Sequence, residues 1–158
     1  MNELVLRNRQ RVRPVNVSFL REVTEVAVGD LLKLSSFEIC VHLVGSREMA
    51  RLNEQFLQHE GDTDVITFDY NEPRQSSRIA GEIFVCVDVA LRQAKEFHTT
   101  WQAEIVRYVV HGVLHLLGHD DLEPAARRRM KREENALLRR LQRRFALNRV
   151  QKRAAPRA

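Results

Sequence analysis

The chain has 158 residues and a mass of 18.4 kDa, with 44% hydrophobic and 30% charged residues, which suits one folded domain rather than two. No apolar run approaches a membrane span, Met1-Asn2-Glu3-Leu4 shows no secretory pattern, and two cysteines cannot build a disulfide scaffold, so a cytoplasmic protein with Cys40 and Cys86 as buried reduced thiols is expected. The net charge of +5 is uneven: residues 127–158 hold 13 Lys or Arg against Glu133 and Glu134, a balance of +11, while 13 basic and 19 acidic residues leave −6 elsewhere, an asymmetry that suits a polyanionic partner.

Leu4-Val5-Leu6 reads as a short strand. Pro14 is placed to open a helix, in which Leu20, Val23, Val26, Ala27 and Leu31 keep helical spacing until Ser35-Ser36. Residues 37–44 alternate apolar and polar, as a half-buried strand does. Gly45 turns the chain, Ser46 starts a helix over Arg47 to Leu57, and Gly61-Asp62 closes it. Val65 to Phe68 is a β-branched strand, residues 71–77 with Pro73 a polar loop, and Gly81 to Val87 the strongest strand pattern. Asp88 is the expected cap of a helix to Phe97, and Thr99 or Thr100 of another from Trp101 to Leu117. Gly118 stops that helix as a left-handed cap. After Pro124, the spacing of Met130, Leu137, Leu138, Leu141 and Phe145 marks a last helix, and residues 148–158 read as a basic disordered tail.

The chemistry concentrates in His111-Gly112-Val113-Leu114-His115-Leu116-Leu117-Gly118-His119-Asp120-Asp121. On a helix His111 and His115 are about 40° apart and about 6 Å along the axis, so both rings can converge on one ion. A helical wheel sets Glu104 on the same edge, opposite the apolar arc. Two imidazoles and a carboxylate suit zinc, while nickel, copper or iron also accept such donors. Were the helix to continue, His119 would lie about 12 Å from His111, a poor span for one ion. With the helix broken at Gly118, His119 and Asp121 both come into reach, and a three-residue set leaves the fourth position open, as in catalytic zinc sites. A metallopeptidase of the His-Glu-x-x-His type needs Glu beside the first His. That slot is Gly112, which argues against peptide hydrolysis.

This segment resembles the signature of the YbeY endoribonucleases, His-Gly-x-Leu-His-Leu-x-Gly-Tyr/His-Asp-His, matching at His111, Gly112, Leu114, His115, Leu116, Gly118, His119 and Asp120. Thr63 to Phe68 is similar to the family's Thr-Asp-Val-Leu-Ser-Phe, Gly81-Glu82-Ile83 to its Gly-Asp-Ile, and Leu52-Asn53 to its Leu-Asn. The family's third metal-binding His falls on Asp121, so the resemblance implies one zinc ion on His111, His115 and Asp121, with His119 as second choice for the third ligand. The family Arg after Leu-Asn falls on Leu57, so the phosphate contact it supplies is missing here or comes from elsewhere. The resemblance further implies an α+β single domain, with a mixed, mostly four-stranded sheet packed with helices, zinc-hydrolase-like, over residues 1–147. It implies single-strand-specific cleavage of RNA, in maturation of the 3′ end of 16S rRNA and in ribosome quality control. The partners are then single-stranded RNA, ribosomal RNA and the small ribosomal subunit, with neither membrane nor DNA expected. Glu104 and Asp64 are candidates to support the ligands. Arg127, Arg128, Arg129, Lys131 and Arg132 are candidates to hold the RNA backbone. A second reading is a non-catalytic RNA- or ribosome-binding factor that keeps a structural metal.

Overall fold

Four apolar strand segments need covering on both faces, and the helices between them supply the cover. In the computed structural model, which describes residues 2–71 and 78–153, β1 (Asn2–Asn8), β2 (Ser36–Val44), β3 (Val65–Asp69) and β4 (Arg78–Cys86) form one sheet in the order β1-β2-β4-β3. β1, β2 and β4 run parallel, and β3 pairs antiparallel with β4 as an edge. The polar loop expected around Pro73 lies outside the described residues, except for Asn71.

The parallel pairings require crossovers, which helices provide. α1 (Val17–Glu25) is capped by Asn16, whose side chain accepts from the Phe19 backbone N–H. Pro14 therefore lies before the helix and does not open it. A π-helical turn, Val26–Leu31, follows directly. α2 (Ser46–Leu57) ends where Gln58 turns left-handed, three residues ahead of Gly61. α3 (Val87–Phe97) starts from Cys86. Asp88 does not cap that helix: its carboxylate accepts from the backbone N–H of Ser46 at 2.7 Å and so caps α2. α4 (Trp101–Leu116) is capped by the Thr100 hydroxyl, and α5 spans Pro124–Arg144 with Pro at its first turn.

Strand residues alternate between two faces. The odd-numbered set Ile39, Val41, Leu43, Ile83 and Val85 joins α1, α4 and α5 in the main core, with Leu20, Val113, Leu114 and Leu141 fully or almost fully buried. The even-numbered set meets α2 in a smaller core of Val44, Met49, Ile66, Phe84, Cys86 and Val89. α2 covers one end of this second face, so Cys40 is half-buried and only Cys86 is buried as expected.

The tail expected from residue 148 is corrected over its first part. Leu147–Val150 forms a 3₁₀ turn with Val150 buried. The Asn16 N–H donates to Val150 O at 2.7 Å, and the Lys152 N–H to Pro14 O at 2.9 Å. Apolar Leu147 and Val150 pay for the ordering that the charged residues around them oppose. Residues 154–158 lie outside the described residues.

Candidate metal centre

α4 is a buried helix with a polar edge, and the chain reverses where that edge ends. Leu117 caps the C-terminus of α4 and Gly118 follows at φ +99°, a backbone that side-chain-bearing residues adopt at a cost. The His119 N–H returns to Leu114 O at 3.0 Å. The reversal carries Asp121 back over the helix edge it has just left.

Asp121 Oδ2 lies 3.5 Å from Nε2 of His111 and 3.5 Å from Nε2 of His115. The three donor atoms all lie within 4.8 Å of one another. The imidazoles meet edge to face, with centroids 4.6 Å apart and planes at 82°. The other ring nitrogens are committed elsewhere. His111 Nδ1 faces Glu134 Oε1 at 2.7 Å, and His115 Nδ1 faces the His119 carbonyl at 3.1 Å. A carboxylate or carbonyl accepts, so each Nδ1 carries the proton and each Nε2 lone pair points toward Asp121. Nitrogen and carboxylate oxygen in this arrangement fit a divalent ion such as zinc.

Glu134 is 3% exposed and is the buried hub of the site. Its Oε2 accepts from Arg107 at 2.6 Å and from Lys131 at 3.1 Å. Burial pushes the Glu134 pKa up, but the hydrogen bonds from His111 and Arg107 and the Lys131 charge outweigh it, pulling the group down to about 2. Burial presses the His111 pKa down, and the bond and charge of Glu134 more than reverse that, for a net rise.

A cleft of about 770 Å³ opens over these groups. Asp64 and Glu104 line it with His111 and Asp121, outside the three-donor cluster. The Glu104 carboxylate accepts from the Thr99 hydroxyl at 2.8 Å, and Asp64 Oδ1 from the Val65 N–H at 2.8 Å. His119 contributes its carbonyl; its imidazole is not in the cluster. Of the five cations expected to meet RNA, Arg127, Arg128 and Lys131 line the cleft. Arg129 and Arg132 line an adjoining groove that Arg128 and Lys131 share. Leu57 ends α2 half-exposed, with no cation at that position.

Glu134 and Arg107 were not among the residues expected here. A signal for Glu134 was present. Met130, Glu134, Leu137 and Leu141 sit at spacings of four, three and four, so Glu134 occupies the apolar stripe of α5. A carboxylate on a buried stripe requires a partner.

Gly112 brings α4 onto the sheet. A Cβ there would come within 2.6 Å of Ile83 Cγ2 and 2.9 Å of its Cδ1. The slot that holds Glu in the metallopeptidases is thus pressed against β4, facing away from the cleft.

The family model described as Endoribonuclease YbeY matches residues 6–142. Among similar proteins, Endoribonuclease YbeY of Chlorobium luteolum is 35% identical over 139 residues, 88% of this chain and 98% of that one. The protein of the same name from Salinibacter ruber is 37% identical over 132 residues, 80% of this chain and 83% of that one. The solution structure of TM1509 from Thermotoga maritima superposes with a TM-score of 0.65 at 26% identity, covering 90% of this chain and 91% of that one. A match spanning most of the chain, with the four-stranded mixed sheet and the helices that cover it, means that this chain belongs to the YbeY endoribonuclease family.

Proposed function

We propose that this chain is a zinc-dependent, single-strand-specific endoribonuclease that hydrolyses RNA phosphodiester bonds. Its proposed substrate is ribosomal RNA of the small subunit, in maturation of the 16S 3′ end and in ribosome quality control, in the cytoplasm. The observation that carries the reading is the convergence of the His111 and His115 Nε2 atoms on Asp121 Oδ2, with His111 and Asp121 lining a cleft that Arg127, Arg128 and Lys131 also line. Cytoplasmic placement is supported by the two free cysteines; among the described residues no helix is long and apolar enough to cross a membrane.

In this reading His111, His115 and Asp121 hold one zinc ion, which when bound supplies Lewis acidity toward a phosphoryl oxygen and toward water. Glu134 keeps the His111 proton on Nδ1, and the His119 carbonyl does the same for His115. Arg107 and Lys131 keep Glu134 charged, so that it remains an acceptor. Arg127 and Arg128 hold phosphates of the strand entering the cleft. Asp64 and Glu104 shape its wall, with Glu104 fixing the turn into α4 through Thr99.

The test is incubation of zinc-loaded protein with single-stranded RNA, a matched duplex and a 16S precursor, alongside His115→Ala. Cleavage of the single strand and shortening of the precursor 3′ end are expected, with both lost in the variant. Equal cleavage by His115→Ala would overturn the reading. Zinc binding without cleavage would favour a non-catalytic RNA- or ribosome-binding factor, a second reading that Leu57 at the family's Arg position supports.

A further inference from the structure

The open part of the second sheet face carries another set of ligand-type side chains. Cys40 and His42 are two apart on β2 and so share a face, and the parallel register sets Glu82 of β4 beside Cys40. His42 Nε2 lies 3.3 Å from Cys40 Sγ and 2.8 Å from Glu82 Oε1, and the three donor atoms lie within 4.8 Å of one another. The surroundings hold two of these groups in place. The His42 ring lies flat on Phe84, with centroids 4.3 Å apart and planes at 7°. The Tyr70 hydroxyl donates to Glu82 Oε2 at 2.6 Å, leaving Oε1 directed at His42. The His42 side chain is 7% exposed and that of Glu82 33%, so the cluster has a buried base and an open top.

A Cys-His-base relay would need the thiol and the carboxylate on opposite ring nitrogens. Here both meet Nε2, so the three groups form no relay. Their donor atoms converge on one point, as ligands do. We propose that Cys40, His42 and Glu82 form a second divalent-cation site, on the sheet face opposite the α4 centre, for a borderline-soft ion such as zinc. One sulfur, one nitrogen and one oxygen donor suit that class of ion. A thiolate and a carboxylate neutralise the two positive charges, and Arg7, which hydrogen-bonds Cys40 and acts by its charge on Glu82, favours both anionic forms. Binding releases the Cys40 thiol proton to solvent and moves the His42 proton from Nε2 to Nδ1, so the thiolate and the imidazole lone pair become the ligands. The site stands independently of the proposed nuclease activity. It pins β2 to β4 and, through Tyr70, to the end of β3.

Cobalt(II) distinguishes the two sites, because only this one offers sulfur. Titration of the reduced, chelator-treated chain with Co²⁺ should bring up a near-ultraviolet thiolate-to-cobalt charge-transfer band. The band should survive in His115→Ala and vanish in Cys40→Ser. In the His115→Ala background Zn²⁺ should raise the thermal midpoint, and Cys40→Ser should abolish that rise. Absence of the band in the unaltered chain would overturn the proposal. So would its persistence in Cys40→Ser, which would assign it to buried Cys86. Should Cys40→Ser not fold, alkylation of Cys40 in the unaltered chain decides the matter. Zn²⁺ should slow it at least tenfold, and an unchanged rate would overturn the site.

Discussion

The two faces of the sheet present histidines to carboxylates in opposite ways. On the α4 face, His111 and His115 spend Nδ1 on Glu134 and on the His119 carbonyl and keep Nε2 toward Asp121. On the α2 face, His42 spends Nε2 on Glu82 and Cys40, and its buried Nδ1 has no hydrogen-bond partner among the described residues. The first pair is fixed in the ligating tautomer before any ion arrives. His42 must change tautomer to ligate, and its proton then rests on a buried atom without an acceptor, which costs free energy. Ligand readiness is set by the bond on the far side of the ring, and the α4 centre should therefore bind zinc more tightly than the α2-face cluster.

Removing the far-side bond is the strongest way to break this comparison. Glu134→Ala leaves the His111 Nδ1–H and the Arg107 guanidinium without their buried acceptor. Zinc affinity at the α4 centre should fall about 10–100-fold, the usual cost of losing such a supporting group. Tyr70→Phe removes a bond from the carboxylate at the other cluster and leaves its imidazole untouched, so its effect there should be smaller. Competition titration with a chelating dye reads both, and equal losses would end the distinction.

Next in size is the contact that seats the α4 centre on the sheet. Gly112→Ala drives a methyl into fully buried Ile83. Overpacking of this kind costs about 1–3 kcal/mol, against about 1 kcal/mol gained because Ala favours helix over Gly. Ile83 is fully buried and meets the new methyl with three of its side-chain carbons, so the net effect should be destabilising, read as a lower urea midpoint with an unchanged slope. A rise in the midpoint would show that α4 floats on β4 and that the site does not depend on this contact.

The cations should act through salt dependence more than through affinity at one condition. Each phosphate contact on a single strand contributes about 0.7 to the slope of log affinity against log salt. Neutralising Arg127, Arg128 and Lys131 together should lower the slope for single-stranded RNA by about 2 on that scale. The pair Arg129 and Arg132, in the adjoining groove, should lower it less. Equal effects would show that the strand tracks the whole of α5 and not the cleft.

What could be read from the sequence follows from how local each signal is. All four strands and the helix after Thr100 announced themselves by periodicity or a cap, and His111, His115 and Asp121 lie on one turn and the bend behind it. Asp121 and His119 could not be separated by spacing alone, because the choice depends on the loop that Gly118 starts. Glu134 reaches His111 from 23 residues away, through packing of α5 on α4. Asp88 similarly caps a helix 42 residues earlier in the chain. The α2-face cluster needed the β2–β4 register, which no local pattern contains.

The smallest effect concerns how firmly α2 is held over its end of the second face. Asp62 accepts from the Ser46 hydroxyl at 2.6 Å and from Arg92 at 2.7 Å, so it ties the first turn of α2 to α3. The Arg92 hydrogen bond, opposed by burial and helped by Ser46, holds the Asp62 carboxyl below its ordinary value of 3.8. A carboxylate with a depressed folded-state pKa stabilises the fold above its unfolded pKa, and that contribution is lost as pH falls through the folded value. Asp62→Asn should therefore lower stability at neutral pH by under about 1 kcal/mol, the range of a partly exposed ion pair. The difference from the unaltered chain should close as pH drops below 3.8, in urea melts followed across that range. The same substitution should leave zinc binding at His111 and His115 unchanged, since α2 packs on one end of the opposite face. A matching loss at the α4 centre would mean that the two faces move as one unit.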